Sequence, residues 1–94
     1  MGGAVFYILR CADGSYYAGS ALDLGDRLKT HSSGKGPRYT AARLPVMLVY
    51  TEQHASLAEA VRRERQVKTW TRAKKEALIK QDFGELKRLS KRRN

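Results

Sequence analysis

The segment AVFYIL at residues 4–9, followed by Asp13-Gly14 and the pair Tyr16-Tyr17, constrains this chain more than any other stretch. An apolar run of that length can cross a small sheet as a buried strand. Asp13-Gly14 is a hairpin signal, because Gly14 takes a positive φ without a Cβ clash. Tyr16 and Tyr17 favour a second strand, which Gly19-Ser20 ends.

The turn type decides where the tyrosines point. In a two-residue turn Tyr7 and Tyr17 fall on opposite faces. In a three-residue turn over Ala12-Asp13-Gly14, with Gly14 in the αL position of a G1 bulge, Cys11 pairs with Ser15. Leu9 then stands opposite Tyr17 and Tyr7 opposite Gly19, so both phenols share one face. Gly19 leaves open space beside the Tyr7 ring. Two phenols beside a hole have the make-up of a pocket wall.

Ser20-x-x-Asp23 has the form of an N-cap, and Asp23 and Asp26 suit a positive helix start. Leu24 and Leu28, one turn apart, face inward; Arg27 and His31 stack on one side of the same helix. The residues alone leave Arg27 as either a surface partner of Asp23 or a site residue, and His31 as either a helix-end charge or a site residue.

From Ser32 to Leu44, Gly34, Gly36 and Pro37 oppose helix, so a basic loop is expected. It is either simply solvated or a clamp on a phosphate backbone through Lys35, Arg38 and Arg43, with Tyr39 as an aromatic contact. Val46–Thr51 reads as a third strand. Ser56-x-x-Glu59 is a capping box. The inward stripe of the helix it opens runs Leu57, Ala60, Val61, Glu64, Val67, Lys68, which puts a carboxylate where an apolar residue is expected. Glu64 either pairs with Lys68 one turn on or serves as a cation ligand. Thr71 caps a further helix through Ala77, Leu78 and Ile79 that Gly84 ends, and Leu86 and Leu89 allow one or two turns before a basic tail, 90–94.

Nineteen Lys and Arg against nine Asp and Glu give a net charge of +10, which makes a polyanion the leading class of partner. A single cysteine, Cys11, excludes an internal disulfide and a cysteine-based zinc site. No stretch approaches the length of a membrane span, and Met1-Gly2-Gly3 lacks a signal-peptide layout. The expectation is a cytoplasmic protein without membrane contact.

These residues together resemble the GIY-YIG nuclease family. The first half-motif stands as Val5-Phe6-Tyr7 and the second as Tyr17-Ala18-Gly19, followed in order by Arg27-x3-His31 and Glu64. Gly34-Lys35-Gly36, Tyr39-Thr40 and Pro45 are similar to the small single-domain branch of that family. The resemblance implies a metal-dependent endonuclease that hydrolyses phosphodiester bonds of DNA, with RNA as the other possible partner. It assigns Tyr7 as general base or proton relay, Tyr17 as its neighbour orienting water and phosphate, and His31 as acceptor or holder of the Tyr7 hydroxyl proton. Arg27 grips the scissile phosphate, and Glu64 is the sole protein carboxylate on one Mg²⁺ or Mn²⁺. Lys68 touches a neighbouring phosphate. Because a free phenol has a pKa of about 10, Tyr7 is expected to be pushed toward phenolate by Arg27, Lys68 or the metal. Weak sequence selectivity follows, with branched or damaged DNA as possible substrates in repair or recombination and a protein partner as a possible source of specificity. The alternative is a non-catalytic basic DNA- or RNA-binding adaptor.

The resulting fold expectation is a small α/β domain. Strands near 3–11, 15–20 and 46–52 are flanked by helices near 22–32, 57–69 and 72–82. Residues 1–84 form the nuclease-like domain and 85–94 a short helical turn and tail.

Overall fold

The structure, a computed structural model, describes residues 3–91. Three strands, β1 (Ala4–Arg10), β2 (Tyr16–Ala21) and β3 (Met47–His54), form an antiparallel sheet in the order β2-β1-β3. The helices are α1 (Leu24–Ser32), α2 (Arg38–Ala41), α3 (Leu57–Lys68), α4 (Arg72–Ile79) and α5 (Phe83–Lys91). The small α/β fold expected from the sequence is the fold observed.

The hairpin has the three-residue turn. Cys11 N–H donates to the Ser15 carbonyl at 2.8 Å, Gly14 N–H donates to the Cys11 carbonyl at 2.9 Å, and Gly14 has φ +84°. The register pairs Leu9 with Tyr17 and Tyr7 with Gly19. Alternation along central β1 then feeds two cores. Ala4, Phe6 and Ile8 join Ala18, Ala60, Val67 and Leu78 on one face, where Phe6 meets Tyr50 edge-on at 6.2 Å. Tyr7 and Leu9 join Ala21, with Leu24 and Leu28 of α1 packed against them, on the other.

Four local expectations are corrected. Ser20 lies inside β2 and caps nothing; Asp23 is the N-cap of α1, its carboxylate accepting from Asp26 N–H at 3.0 Å. The Ser32–Leu44 stretch is not all loop, because Pro37 opens the single turn α2; proline suits a helix start, where its missing N–H costs nothing. Gly84 does not end α4 but sits inside α5. Helix α4 stops at Ile79 in a Schellman arrangement: Gln81, at φ 57°, donates to Leu78 O and Asp82 donates to Ala77 O. The signal was missed because glutamine, not glycine, takes the αL position. Helix α5 is also longer than expected, nine residues opened by Asp82 accepting from Glu85 N–H, and Leu86 packs against the larger core. The end of the basic tail, residues 92–94, lies outside the described residues.

Candidate active site

Tyr7 is fully buried on the central strand, and its ring lies over Gly19. A Cβ at residue 19 would come within 2.5 Å of both Cζ and Oη of Tyr7, so only glycine fits opposite it. The phenol reaches across this gap to α1, where Tyr7 Oη and His31 Nε2 are 2.9 Å apart. His31 is fully buried and presents its edge to two rings, Tyr7 at 5.8 Å and Tyr17 at 5.3 Å between centroids. Its other nitrogen, Nδ1, lies 2.8 Å from Thr40 Oγ1. His31 is therefore no surface helix-end charge.

Arg27, one turn before His31, makes no ion pair with Asp23 within 4.0 Å. Its charge instead acts on Tyr7 and His31. A cleft of about 350 Å³ opens beside it, lined by Ser20, Asp26, Thr30, Leu57 and Val61 among others.

Glu64 comes from α3, whose Ala60 and Val67 are buried in the larger core. Its carboxylate accepts from Ser20 Oγ at 2.7 Å through Oε1 and pairs with Lys68 Nζ at 2.7 Å through Oε2. Both readings of the sequence thus meet in one group. Glu64 has its ion pair, and it is also held at the β2 edge, where its charge is felt by Tyr7 and Tyr17. Lys68 Nζ lies 5.8 Å from the centre of the Tyr17 ring.

The electrostatics depart from expectation at Tyr7. Burial, reinforced by Tyr17, pushes its pKa up to about 12, and the lowering effect of Arg27 does not outweigh this. Tyr17 is raised too, burial prevailing over the opposing charge of Lys68. Burial and then Arg27 hold His31 below its ordinary value, because both disfavour the imidazolium. In the protein alone the pair is a neutral phenol against a neutral imidazole, not a phenolate.

The loop candidates divide. Tyr39 lies beside Tyr17, with centroids 6.1 Å apart. Arg43 is engaged within the protein: it donates to Asp13 at 3.0 Å and to the Tyr39 carbonyl at 3.0 Å, and its guanidinium lies 3.8 Å from the Tyr39 ring centre. Lys35 and Arg38 are exposed and form no ion pair among the described residues. A second cleft, about 370 Å³, is lined by Tyr16, Tyr17, Tyr39, Lys68 and Lys75.

Ser20 and Thr40 are the contacts that sequence reasoning missed. Ser20 carried a signal, since a residue next to Gly19 on an edge strand alternates to the face that α3 covers. Thr40 carried none beyond its place in the Tyr39-Thr40 motif.

Comparisons with known proteins place the chain in a family. The family profile described as the GIY-YIG catalytic domain matches residues 3–77. A UPF0213 protein of Bacillus pumilus is 55% identical over 76 residues, covering 81% of this chain and 78% of the relative. One from Staphylococcus aureus is 48% identical over 75 residues, covering 80% of this chain and 92% of the relative. The solution structure of a UPF0213 protein from Bacillus halodurans superposes with a TM-score of 0.55 at 46% identity, covering 83% of each chain. A solution structure of a protein from E. faecalis gives 0.60 at 37% identity, covering 88% of each. With its tyrosine pair, arginine and glutamate gathered around one hairpin, the chain belongs to the GIY-YIG catalytic domain family, in the small single-domain UPF0213 branch.

Proposed function

We propose that this protein is a divalent-metal-dependent endonuclease that hydrolyses phosphodiester bonds in DNA with little sequence selectivity. The observation that carries this reading is the buried contact of 2.9 Å between Tyr7 Oη and His31 Nε2, with the charges of Arg27 and Glu64 acting on the same phenol. A binding protein has no need of a fully buried phenol aimed at a histidine.

The raised pKa of Tyr7 favours a relay over a stored phenolate. Water gives a proton to Tyr7 Oη while Tyr7 gives its own proton to His31 Nε2. The resulting hydroxide forms a P–O bond as the opposite P–O bond, to the leaving sugar oxygen, breaks; that oxygen takes a proton from solvent. Neither tyrosine then carries a full charge; the charge falls on His31 as an imidazolium, whose cost in the buried site the negative charge of the bound phosphate offsets. Arg27 matches two phosphate oxygens through its planar fork and offsets the charge that grows on them. Tyr17, edge-on to His31, closes the side of the relay.

A single carboxylate with a hydroxyl holding its other oxygen is a hard, oxygen-only donor set. It fits Mg²⁺ or Mn²⁺, which keep several waters, once Lys68 swings away from Oε2. Among the described residues no three His, Cys, Asp or Glu cluster to cage an ion. When bound, the cation supplies positive charge beside the phosphate. Lys68, Lys75, Lys35 and Arg38 then serve as contacts to neighbouring phosphates.

The test is incubation of purified protein with labelled linear, flapped and junction DNA, and with RNA, in Mg²⁺, Mn²⁺ or EDTA. Cleavage is expected with metal only, and both Tyr7→Phe and Glu64→Gln should abolish it while binding persists. Cleavage that survives EDTA overturns the mechanism. Binding without cleavage under every condition favours the adaptor reading, to which the net charge of +10 would equally belong.

A further inference from the structure

The glycine-rich stretch after α1, expected to be a basic loop, delivers a fully buried hydroxyl to the back of His31. We propose that Thr40 is a positioning residue that fixes His31 as the Nδ1–H tautomer, so that Nε2 keeps its lone pair toward Tyr7. The role in proton relay rests on the function proposed above; the tautomer itself does not.

Counting protons makes the assignment. The Pro37 carbonyl, which also accepts from Ala41 N–H at 2.9 Å, has its second lone pair 3.2 Å from Thr40 Oγ1, and the one hydroxyl proton of Thr40 goes there. Oγ1 is then left to accept, and its neighbour at 2.8 Å, His31 Nδ1, must carry a proton to give. A neutral imidazole has one N–H, so Nε2 is bare and accepts from Tyr7 at 2.9 Å. Every proton in the chain Tyr7–His31–Thr40–Pro37 now has an acceptor. The opposite tautomer fails at Tyr7: Thr40 could then donate to Nδ1, since the Pro37 oxygen keeps the Ala41 N–H, but the fully buried phenol, facing an N–H, would have no acceptor within the protein for its own proton. A doubly protonated ring leaves the Tyr7 proton equally stranded, with Arg27 close by. The other groups facing the ring are Tyr17 from β2 and Tyr7 from β1.

Burial makes the assignment strict. Thr40 and His31 are both fully buried, so water does not replace either partner. Gly36 supplies the clearance: a Cβ there would stand 3.1 Å from His31 Nδ1, 3.3 Å from its Cα and 3.5 Å from Thr40 Oγ1. The Gly34-Lys35-Gly36 and Tyr39-Thr40 stretches therefore join in one device. Gly36 lets α2 approach, and α2 brings Thr40 and the Pro37 carbonyl into line.

The full chain labelled with ¹⁵N-histidine tests this without nucleic acid. It holds two histidines, and His54→Gln identifies the His31 signals. Two-bond proton–nitrogen spectra near neutral pH should show a protonated Nδ1 and a bare Nε2. Thr40→Val, which keeps the shape and loses the hydroxyl, should shift the ring toward Nε2–H, and Thr40→Ser should restore Nδ1–H. Where cleavage is measured, Thr40→Val should lower kcat about 10- to 100-fold, the range for losing the partner that orients a working histidine, with KM for DNA unchanged. An Nε2–H ring in the unmutated protein overturns the proposal, as does an unshifted Nδ1–H ring in Thr40→Val. If that variant does not fold, Thr40→Ala is read by the same two criteria. A protein that never cleaves DNA sinks the nuclease reading and leaves the spectrum to decide the tautomer.

Discussion

Gly19 stands opposite Tyr7 in the β1–β2 ladder, and the space of its missing side chain is filled by the Tyr7 ring. Gly19→Ala should therefore act on chemistry and stability together. The new methyl would need the ring to leave its place over β2 and break the 2.9 Å contact with His31. Overpacking of this kind costs about 1–3 kcal/mol. Denaturant unfolding should show that loss, and cleavage should fall to the level of Tyr7→Phe. A Gly19→Ala protein with unmutated stability and rate would show that the ring does not need this seat.

Lys68 pairs with Glu64 Oε2 at 2.7 Å, so on the proposed reading an incoming cation would have to displace it from that oxygen. Lys68→Met should lower the Mg²⁺ concentration at half-maximal rate, because the carboxylate no longer has to give up an ammonium. It should also weaken DNA binding. Ser20→Ala should raise the same Mg²⁺ midpoint by freeing Oε1 to turn. Metal titration of the initial rate checks both signs, and a Lys68→Met midpoint above that of the unmutated protein would contradict the competition.

The pH dependence has two limbs of opposite origin. The pKa of His31 is held below its ordinary 6.5 by burial and Arg27. Its contribution to stability is full above pH 6.5 and is lost as pH falls through the folded value. The relay should fail in the same direction, since a protonated Nε2 takes nothing from Tyr7. Tyr7 and Tyr50, pushed up to about 12 chiefly by burial, behave in reverse: their contribution is full below the ordinary tyrosine value of 10.0 and is lost as pH rises through about 12. An NMR titration giving His31 a pKa above 6.5 would contradict the first limb. A spectrophotometric titration that finds the Tyr7 phenolate, identified by its absence in Tyr7→Phe, forming near neutral pH would contradict the second.

Nucleic-acid binding should weaken steeply with salt, because phosphate contacts release counterions. Lys35→Ala and Arg38→Ala should each reduce the log–log salt slope by about 1. Arg43→Ala should leave the slope nearly unchanged and instead lower stability, since its guanidinium is tied to Asp13 and Tyr39. Fluorescence anisotropy over a salt series separates the three.

The hairpin was legible down to its register because its determinants are local: Gly14 takes the positive φ and alternation does the rest. Helix α3 was legible with its inward Glu64, and so was the stacking of Arg27 and His31 on α1. The misses share a different physics. Ser20 was read as a cap because serine at that spacing caps helices, yet its strand and the reach of Glu64 claimed the hydroxyl. Thr40 works through a residue nine positions away, across a turn whose geometry no local pattern specifies. The sign of the Tyr7 shift depended on how completely the fold would bury the ring, and burial outweighed the charge counted along the chain.

The parts of the site enter the chain in order. Tyr7, Tyr17, His31 and Thr40 lie within the first 40 residues, while Glu64 arrives only with α3, after β3 has completed the sheet. During synthesis from the N-terminus, a chain that has made its proton relay still lacks the carboxylate. A fragment ending before α3 would lack not only Glu64 but also Ala60, Val67 and Leu78 of the larger core and most of the basic residues, so on the proposed reading both grip on a polyanion and hydrolysis wait for the second half of the chain.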